Sequence, residues 1–324
     1  MSTLKKHMTT RPIPSLFISF LLLSACATQT DAPVAVPAAR VVADGKLPFT
    51  VERFTLPGPV AGVVVKVDLS DPRVAVKVAL ADDRDPDGNG PCVGVLDTTS
   101  SAAKRHDFDV TLNASFFAAP TSKEVLGRKI RYFVGNCTFP EGWHFSGGKL
   151  VSKPAKDGLR STIIVHASGK ISIGDDVREL PADTRYAVSG SATVLRAGVP
   201  IVSAAVAARH PRSAVGLSAD GSTLVMLAVD GRQATAAESP YGRAHSRGAT
   251  LQELGELMRG FGAADAINLD GGGSTAMVLK DPYTGVFSIA NQPSDASTLK
   301  LPVAIERPVA DVIGITINRG ANAR

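Results

Sequence analysis

Ala266-Ile267-Asn268-Leu269-Asp270-Gly271-Gly272-Gly273-Ser274-Thr275-Ala276-Met277-Val278-Leu279 sets three consecutive glycines between two apolar runs. Glycine gives up more backbone freedom on folding than any other residue. A run of three therefore marks a place where the backbone passes close to another group or takes a conformation that side chains disfavour. An acid and a hydroxyl flank the run. The turn is expected to present a carboxylate, bare N–H groups and an OH together, a set suited to an oxyanion beside a carbon that becomes electron-poor.

Outward from the turn, Thr250–Phe261 carries the pattern of a helix. Thr250 is the expected N-cap and Glu253 completes a capping box. Leu251, Leu254, Leu257 and Met258 share one face, and Gly260 or Gly262 ends the helix. The order is thus helix, buried strand (Ala266–Leu269), glycine turn, strand (Ala276–Leu279). A nucleotide-binding P-loop runs strand, glycine loop, helix, with a Lys after the last glycine. Neither feature is present.

Short β-branched runs dominate the rest of the chain. Val60–Leu69 and Arg73–Leu80 read as a hairpin around Asp71-Pro72, Thr162–His166 and Lys170–Ile173 as a second, and Ser213–Leu217 with Thr223–Val229 as a third. Phe108–Leu112 reads as a strand ending at Asn113, Ala187–Leu195 as another strand, and Val95–His106 as a further helix. The expected fold class is α+β: mixed, mostly antiparallel twisted sheets with a few packed helices, in a single domain over residues 47–320.

The N-terminus predicts export. Lys5, Lys6 and Arg11 precede the apolar run Leu16–Leu23, which is too short to span a bilayer as a mature helix. Leu23-Ser24-Ala25-Cys26 then resembles a bacterial lipobox. Residues 1–25 read as a lipoprotein signal, Cys26 as the lipidated residue and a membrane anchor, and residues 26–46 as an Ala/Pro/Val tether. An ordinary signal with a chance Cys is the plainer alternative. Ala27 after the Cys favours the periplasmic face of the outer membrane.

The formal charge of +5 falls to +2 once Lys5, Lys6 and Arg11 leave with the leader, which holds no acid. No Lys/Arg block stands out, which argues against a nucleic-acid partner. Of the three cysteines, Cys92 and Cys137 remain for a disulfide in an oxidising compartment, or for two buried thiols.

Further motifs lie in order along the chain: Asn113-Ala114-Ser115-Phe116-Phe117, His210-Pro211-Arg212-Ser213-Ala214-Val215-Gly216, Val229-Asp230-Gly231-Arg232-Gln233 and Glu306-Arg307-Pro308-Val309-Ala310. Together with Asn268–Thr275 they resemble the phosphodiester glycosidase family over about residues 60–317. Each motif is weak alone; five in sequence order are specific. The resemblance implies a hydrolase that cleaves a sugar-1-phosphodiester in an envelope or extracellular glycan and leaves phosphate on the other partner. A non-catalytic glycan-binding or polysaccharide-export lipoprotein on the same fold is the alternative.

The residues suit that chemistry. An oxocarbenium-like state calls for a carboxylate. A phosphate monoester, with a second pKa of about 6, calls for cations and N–H donors more than for an acid. Asp270 is the expected central carboxylate, and Asp230 a second one or the group that orients Arg232. Gly271, Gly272, Gly273 and Ser274 are the expected anion cradle. Arg212 and Arg232 are candidate phosphate clamps, or structural ion-pair residues, and Asn113 a candidate sugar or phosphate contact, or a strand-end amide that closes a loop. No Gly-x-Ser-x-Gly elbow surrounds Ser274. His144, His210 and His245 read as structural.

Two features stand apart. Asp83, Asp85 and Asp87 have the spacing that opens a calcium loop, but Gly94 stands where the bidentate Glu belongs; the segment reads as an acidic surface loop with calcium as the only cofactor worth testing. Tyr132, Phe133, Phe139, Trp143, His144 and Phe145 concentrate in one stretch, as a sugar-stacking surface or as a local aromatic core.

Overall fold

Strands rather than helices make up most of the regular secondary structure among the described residues, because the apolar runs are short and β-branched. The computed structural model describes residues 47–88, 90–155, 158, 160–202, 208–233, 244–295 and 305–319. The leader, the tether and Cys26 lie outside these residues.

Three sheets share one core. The first has seven strands in the order Phe49–Leu56, Val60–Asp68, Thr223–Val229, Arg212–Leu217, Asp265–Asn268, Ala192–Arg196 and Val199–Pro200. The second has five: Phe287–Ile289, Met277–Lys280, Val110–Asn113, Asp311–Ile317 and Val74–Leu80. The third also has five, with Thr162–His166 between Thr184–Ser189 and Ile171–Gly174. Val65, Met226 and Ile267 from the first sheet, Val78, Leu112 and Ile313 from the second, and Ile163 and Val188 from the third meet in one buried cluster. The outer face of the first sheet is covered by helix α2 (Leu251–Gly260), through Leu254 and Met258 on Val64 and Leu227. Helix α1 (Thr99–His106) covers the second sheet through Ala102, beside Phe108 and Val312. Burial on both faces explains why strands such as Val60–Asp68 read as continuous apolar runs rather than alternating ones.

Local signals hold where they are chemically explicit. Thr250 Oγ1 accepts from Glu253 N at 3.1 Å while Glu253 Oε2 accepts from Thr250 N at 2.9 Å, which is the expected capping box. The 162–173 and 213–229 hairpins form. Three expectations are corrected. Val60–Asp68 and Val74–Leu80 are both strands but not a hairpin; they pair in different sheets, with Thr223–Val229 and Asp311–Ile317. The 187–195 run breaks at Gly190-Ser191 into two strands of different sheets. Val95 lies in a short strand; α1 begins only after Thr98, whose side chain accepts from Ser101 N at 3.1 Å. The sheets are antiparallel, as expected for the most part, and with two α-helices among the described residues the class is mainly β, compatible with the expected mixed fold. No helix among the described residues is long and apolar enough to cross a membrane.

Cys92 and Cys137 form a disulfide, with Cα atoms 5.6 Å apart. It joins the loop before Gly94–Val95 to the strand Cys137–Pro140 that pairs with it.

Candidate active site

The glycine turn is a step between sheets. Asp265–Asn268 sits in the middle of the seven-stranded sheet and Met277–Lys280 in the five-stranded one. Between them, Leu269 N donates to Ser213 O at 2.8 Å and Asp270 N to Ala114 O at 2.8 Å, so each sheet holds one end. Arg212 opens its strand opposite Val229, after which come Asp230 and Arg232. Asp270 follows the strand end at Asn268, two rungs along from Ala214. Antiparallel pairing thus brings one strand start and two strand ends to the same rim.

Each of the three glycines has its own steric reason. A Cβ on Gly271 would lie 2.6 Å from Pro211 O; on Gly272, 2.6 Å from Nη2 of Arg232; on Gly273, 2.5 Å from the Arg307 guanidinium and from Asp295 Oδ1. Gly272 also has φ of +63°, where side chains are disfavoured. The expected bare nest is therefore corrected. Gly272 N donates to Pro211 O at 2.9 Å, Ser274 N to Gly271 O at 3.2 Å and Thr275 N to Gly272 O at 3.4 Å, because the turn winds into a short 3₁₀ segment. The glycines leave room for guanidinium groups rather than offering a row of free donors.

Asp270 keeps a little solvent contact, yet burial pushes its carboxyl up to about 7. The Ser274 hydroxyl, the positive charge of Arg307 and the Gly271 N–H pull the other way, and the charge of Asp311 adds to the rise. Ser274 is buried and serves Asp270 directly. Arg232 retains solvent contact, holds a left-handed backbone (φ +63°) and lies against Gly272. A non-glycine residue held in that region is the kind of strain found at functional sites. Burial lowers the pKa of Arg232, as does the nearby Arg307, while Asp295 and Asp270 raise it. Arg212 gives its guanidinium to the carbonyls of Ala249 (3.0 Å) and Ala208 (3.1 Å), and burial lowers its pKa too. His210 feels burial first, then Arg212 and Arg232, and all three lower its pKa. Asp270, Arg212, Arg232 and His210 therefore share one neighbourhood.

Two expected site residues lie elsewhere. Asn113 is fully buried beneath the turn: its amide donates to Asp270 O at 2.6 Å, and its Oδ1 accepts from Ser213 Oγ at 2.7 Å and Ala276 N at 3.2 Å. It fixes the backbone that carries Asp270 instead of contacting a ligand. Asp230 is buried, and its Oδ1 accepts from Gln292 N at 2.6 Å and Asn291 Nδ2 at 3.2 Å. That contact ties down the segment whose Asn291 accepts from Met277 N and whose Ser294 donates to Gly272 O at 3.1 Å. Asp85 and Asp87 cap their own loop, accepting from Asp87 N and Cys92 N at 3.1 Å each. Among the described residues no group of three or more His, Cys, Asp or Glu side chains is arranged to hold a metal.

The sequence reading missed two groups. Arg307, in the Glu306–Ala310 motif, is one; its Nε and Nη2 donate to Asp295 Oδ1 at 3.1 and 2.7 Å. Behind Asp270, Asp311 accepts from Ser115 N (2.7 Å), Ser115 Oγ (2.8 Å) and His144 Nδ1 (2.7 Å), with Asp311 and His144 both fully buried. His144 Nε2 has no hydrogen-bond partner among the described residues. An acid opening the apolar strand Asp311–Ile317 was the available signal.

Comparison with known proteins agrees with this architecture. A family model described as phosphodiester glycosidase matches residues 106–316. No curated protein matches the chain significantly. Three solved structures share the fold. The catalytic domain of zebrafish N-acetylglucosamine-1-phosphodiester alpha-N-acetylglucosaminidase, auto-inhibited by its pro-peptide, is 21% identical, with 87% of each chain covered and a TM-score of 0.56. A hypothetical protein from Synechocystis is 14% identical over 83% of this chain and 62% of its own, with a TM-score of 0.52. An exported protein of unassigned function from Burkholderia pseudomallei is 18% identical over 80% of this chain and 74% of its own, with a TM-score of 0.51. The glycine turn, the strand-end arginines and the C-terminal Arg307 motif all fall inside the matched span, and this chain belongs to the phosphodiester glycosidase family.

Proposed function

We propose that the chain hydrolyses a glycosyl phosphodiester, breaking the bond between the anomeric carbon and the phosphate oxygen. One observation carries the reading. Arg212, partly buried, and Arg232, which keeps its solvent contact against Gly272, stand beside Asp270, yet among the described residues neither has a carboxylate within ion-pair distance. Two neighbouring cations without an ion-pair partner attract an anion, and a phosphodiester supplies one. Arg232 presents a fork of donors that grips two oxygens at once, and Arg212, whose Nε and Nη2 already donate to Ala249 O and Ala208 O, adds its remaining N–H groups and its charge. They stabilise the charge that grows on the phosphate as the bond to the sugar lengthens. Asp270, in its ionised form, is the carboxylate that would steady the positive charge developing at the anomeric carbon. Water completes the reaction, giving a reducing sugar and a phosphomonoester.

An envelope or extracellular glycan outside the cytoplasm is the substrate this reading takes, and its support is the leader-like N-terminal sequence ending at Cys26. The test is incubation of the purified full chain with a panel of sugar-1-phosphodiesters and assay for free reducing sugar. Release by the wild type and loss in Asp270→Asn support the enzyme. Tight glycan binding without release across the panel replaces it with the binding-protein reading.

A further inference from the structure

The aromatic stretch sorts into different roles. Trp143 is buried and donates Nε1–H to Val177 O at 2.8 Å, and Phe133 takes Lys123 over its ring at 4.3 Å. Tyr132 is 41% exposed and is linked to the glycine turn through Arg307, which lies against both. The Arg307 guanidinium lies 4.4 Å from its ring centroid, and Phe117 meets it nearly edge-on at 5.7 Å. Arg307 in turn is paired with Asp295, and that pair occupies the space a Gly273 side chain would fill.

Successive glycines thus face chemically different neighbours. Gly272 meets Arg232, a cation with no acid in ion-pair distance among the described residues. Gly273 meets an arginine already neutralised by an aspartate and walled by a phenol ring. A neutralised Arg–Asp pair has little to offer a phosphate. It offers donors and an acceptor in fixed planes, with an aromatic surface beside them, which is what a ring of vicinal hydroxyls and C–H faces requires. The loop that presents Tyr132 is pre-set. Asn136 Nδ2 donates to Arg131 O at 2.6 Å and Thr121 O at 3.1 Å, Gly135 N donates to Leu96 O at 2.8 Å, and Cys137 is tied to Cys92. Binding there does not have to order a loose loop.

We infer that the site is divided along the glycine turn. Phosphate occupies the Arg212–Arg232 side, the pyranose ring occupies the Tyr132–Arg307–Asp295 side, and Tyr132 is the residue that selects for a sugar ring. The inference rests on the phosphodiester reading for its substrate but is tested by binding alone.

The experiment is calorimetric titration of the full chain with inorganic phosphate, glucose 1-phosphate and N-acetylglucosamine 1-phosphate. Wild type binds at least one sugar phosphate more tightly than inorganic phosphate. Tyr132→Ala weakens that sugar phosphate by roughly three- to ten-fold, the size of an aromatic contact, and leaves inorganic phosphate unchanged. Tyr132→Phe keeps most of the preference, and Arg232→Gln weakens all three ligands together. Thermal melts of each variant confirm that it is folded. The division is overturned if wild type shows no preference, if Tyr132→Ala leaves the preference intact, or if it weakens inorganic phosphate equally. Sugar-selective binding without turnover upholds the division and sinks the hydrolase; turnover with no effect of Tyr132→Ala on sugar phosphates does the reverse.

Discussion

The Cβ that Gly272 lacks would sit 2.6 Å from Nη2 of Arg232. The two residues are matched in another way: both hold left-handed backbone, with φ of +63° each. The glycine is bare so that a guanidinium can lie against the turn. Gly272→Val adds a β-branched side chain where L-residues lose about 1–2 kcal/mol and drives Arg232 away. The expected outcome is a modest fall in melting temperature with at least a hundred-fold loss of kcat/KM, of the order seen when one charge-stabilising donor is removed, about 10²–10³. Stability and activity falling in proportion would make the turn purely structural.

Asp270 ties function to pH-dependent stability. In the folded chain burial pushes its carboxyl up to about 7, from an ordinary aspartate value of 3.8. Between those values the folded state binds the extra proton, so stability falls as pH rises through the window, and the whole penalty applies above it. At about 1.36 kcal/mol per unit the ceiling is on the order of 4 kcal/mol. Asp270→Asn, which cannot ionise, is therefore expected to be more stable than wild type at pH 8 and equal to it near pH 4. Chemical denaturation at the two pH values reads this directly; a variant less stable at pH 8 contradicts the raised pKa.

Much of this site was legible because its signals are local. Three glycines beside an acid and the Thr250–Glu253 capping box need no knowledge of distant contacts. The misreadings share a cause. Asn113 and Asp230 are polar residues at strand ends, and sequence does not show whether such a side chain faces a ligand or the backbone of the next sheet. Asn113 turns to Asp270 O and Asp230 to Gln292 N, contacts spanning 157 and 62 residues. The same distance hid the partnership of His144 and Asp311, which are 167 residues apart. The hairpin expected at Asp71-Pro72 failed because a turn signal fixes a change of direction, not which sheet the next strand joins.

Asp311 is expected to act on Asp270 from behind. Its charge contributes to the raised pKa, though less than burial does. Asp311→Asn removes that charge, so Asp270 ionises at lower pH. If the ionised form is the working one, kcat/KM rises through about pH 7 in wild type and the midpoint moves to lower pH in the variant. The substitution also disturbs the buried hydrogen bonds from His144 and Ser115, at a cost of about 1–3 kcal/mol for a group left unsatisfied, so melting temperature falls as well. A lower melting temperature with an unmoved pH profile would show that Asp311 only holds the fold.

The Cys92–Cys137 bond closes a loop with a sequence separation of 45, and within that loop lies the segment that carries Tyr132. Chain-entropy reasoning gives such a cross-link a ceiling of about 4 kcal/mol. Its effect on function is separable from its effect on stability. Asn136 and the Leu96–Gly135 contact continue to hold the base of the segment when the sulfurs are parted. The glycine turn is held by Asn113, Ser213 and Ser294, whose hydrogen bonds do not involve the disulfide. Cys137→Ser is therefore expected to lower the melting temperature markedly and raise KM for sugar phosphodiesters a few-fold, with kcat nearly unchanged at temperatures where the variant is folded. Differential scanning calorimetry and steady-state kinetics on the same preparation measure both. A collapse of kcat with KM unchanged would mean that the bond supports Asp270 itself and not the surface beside it.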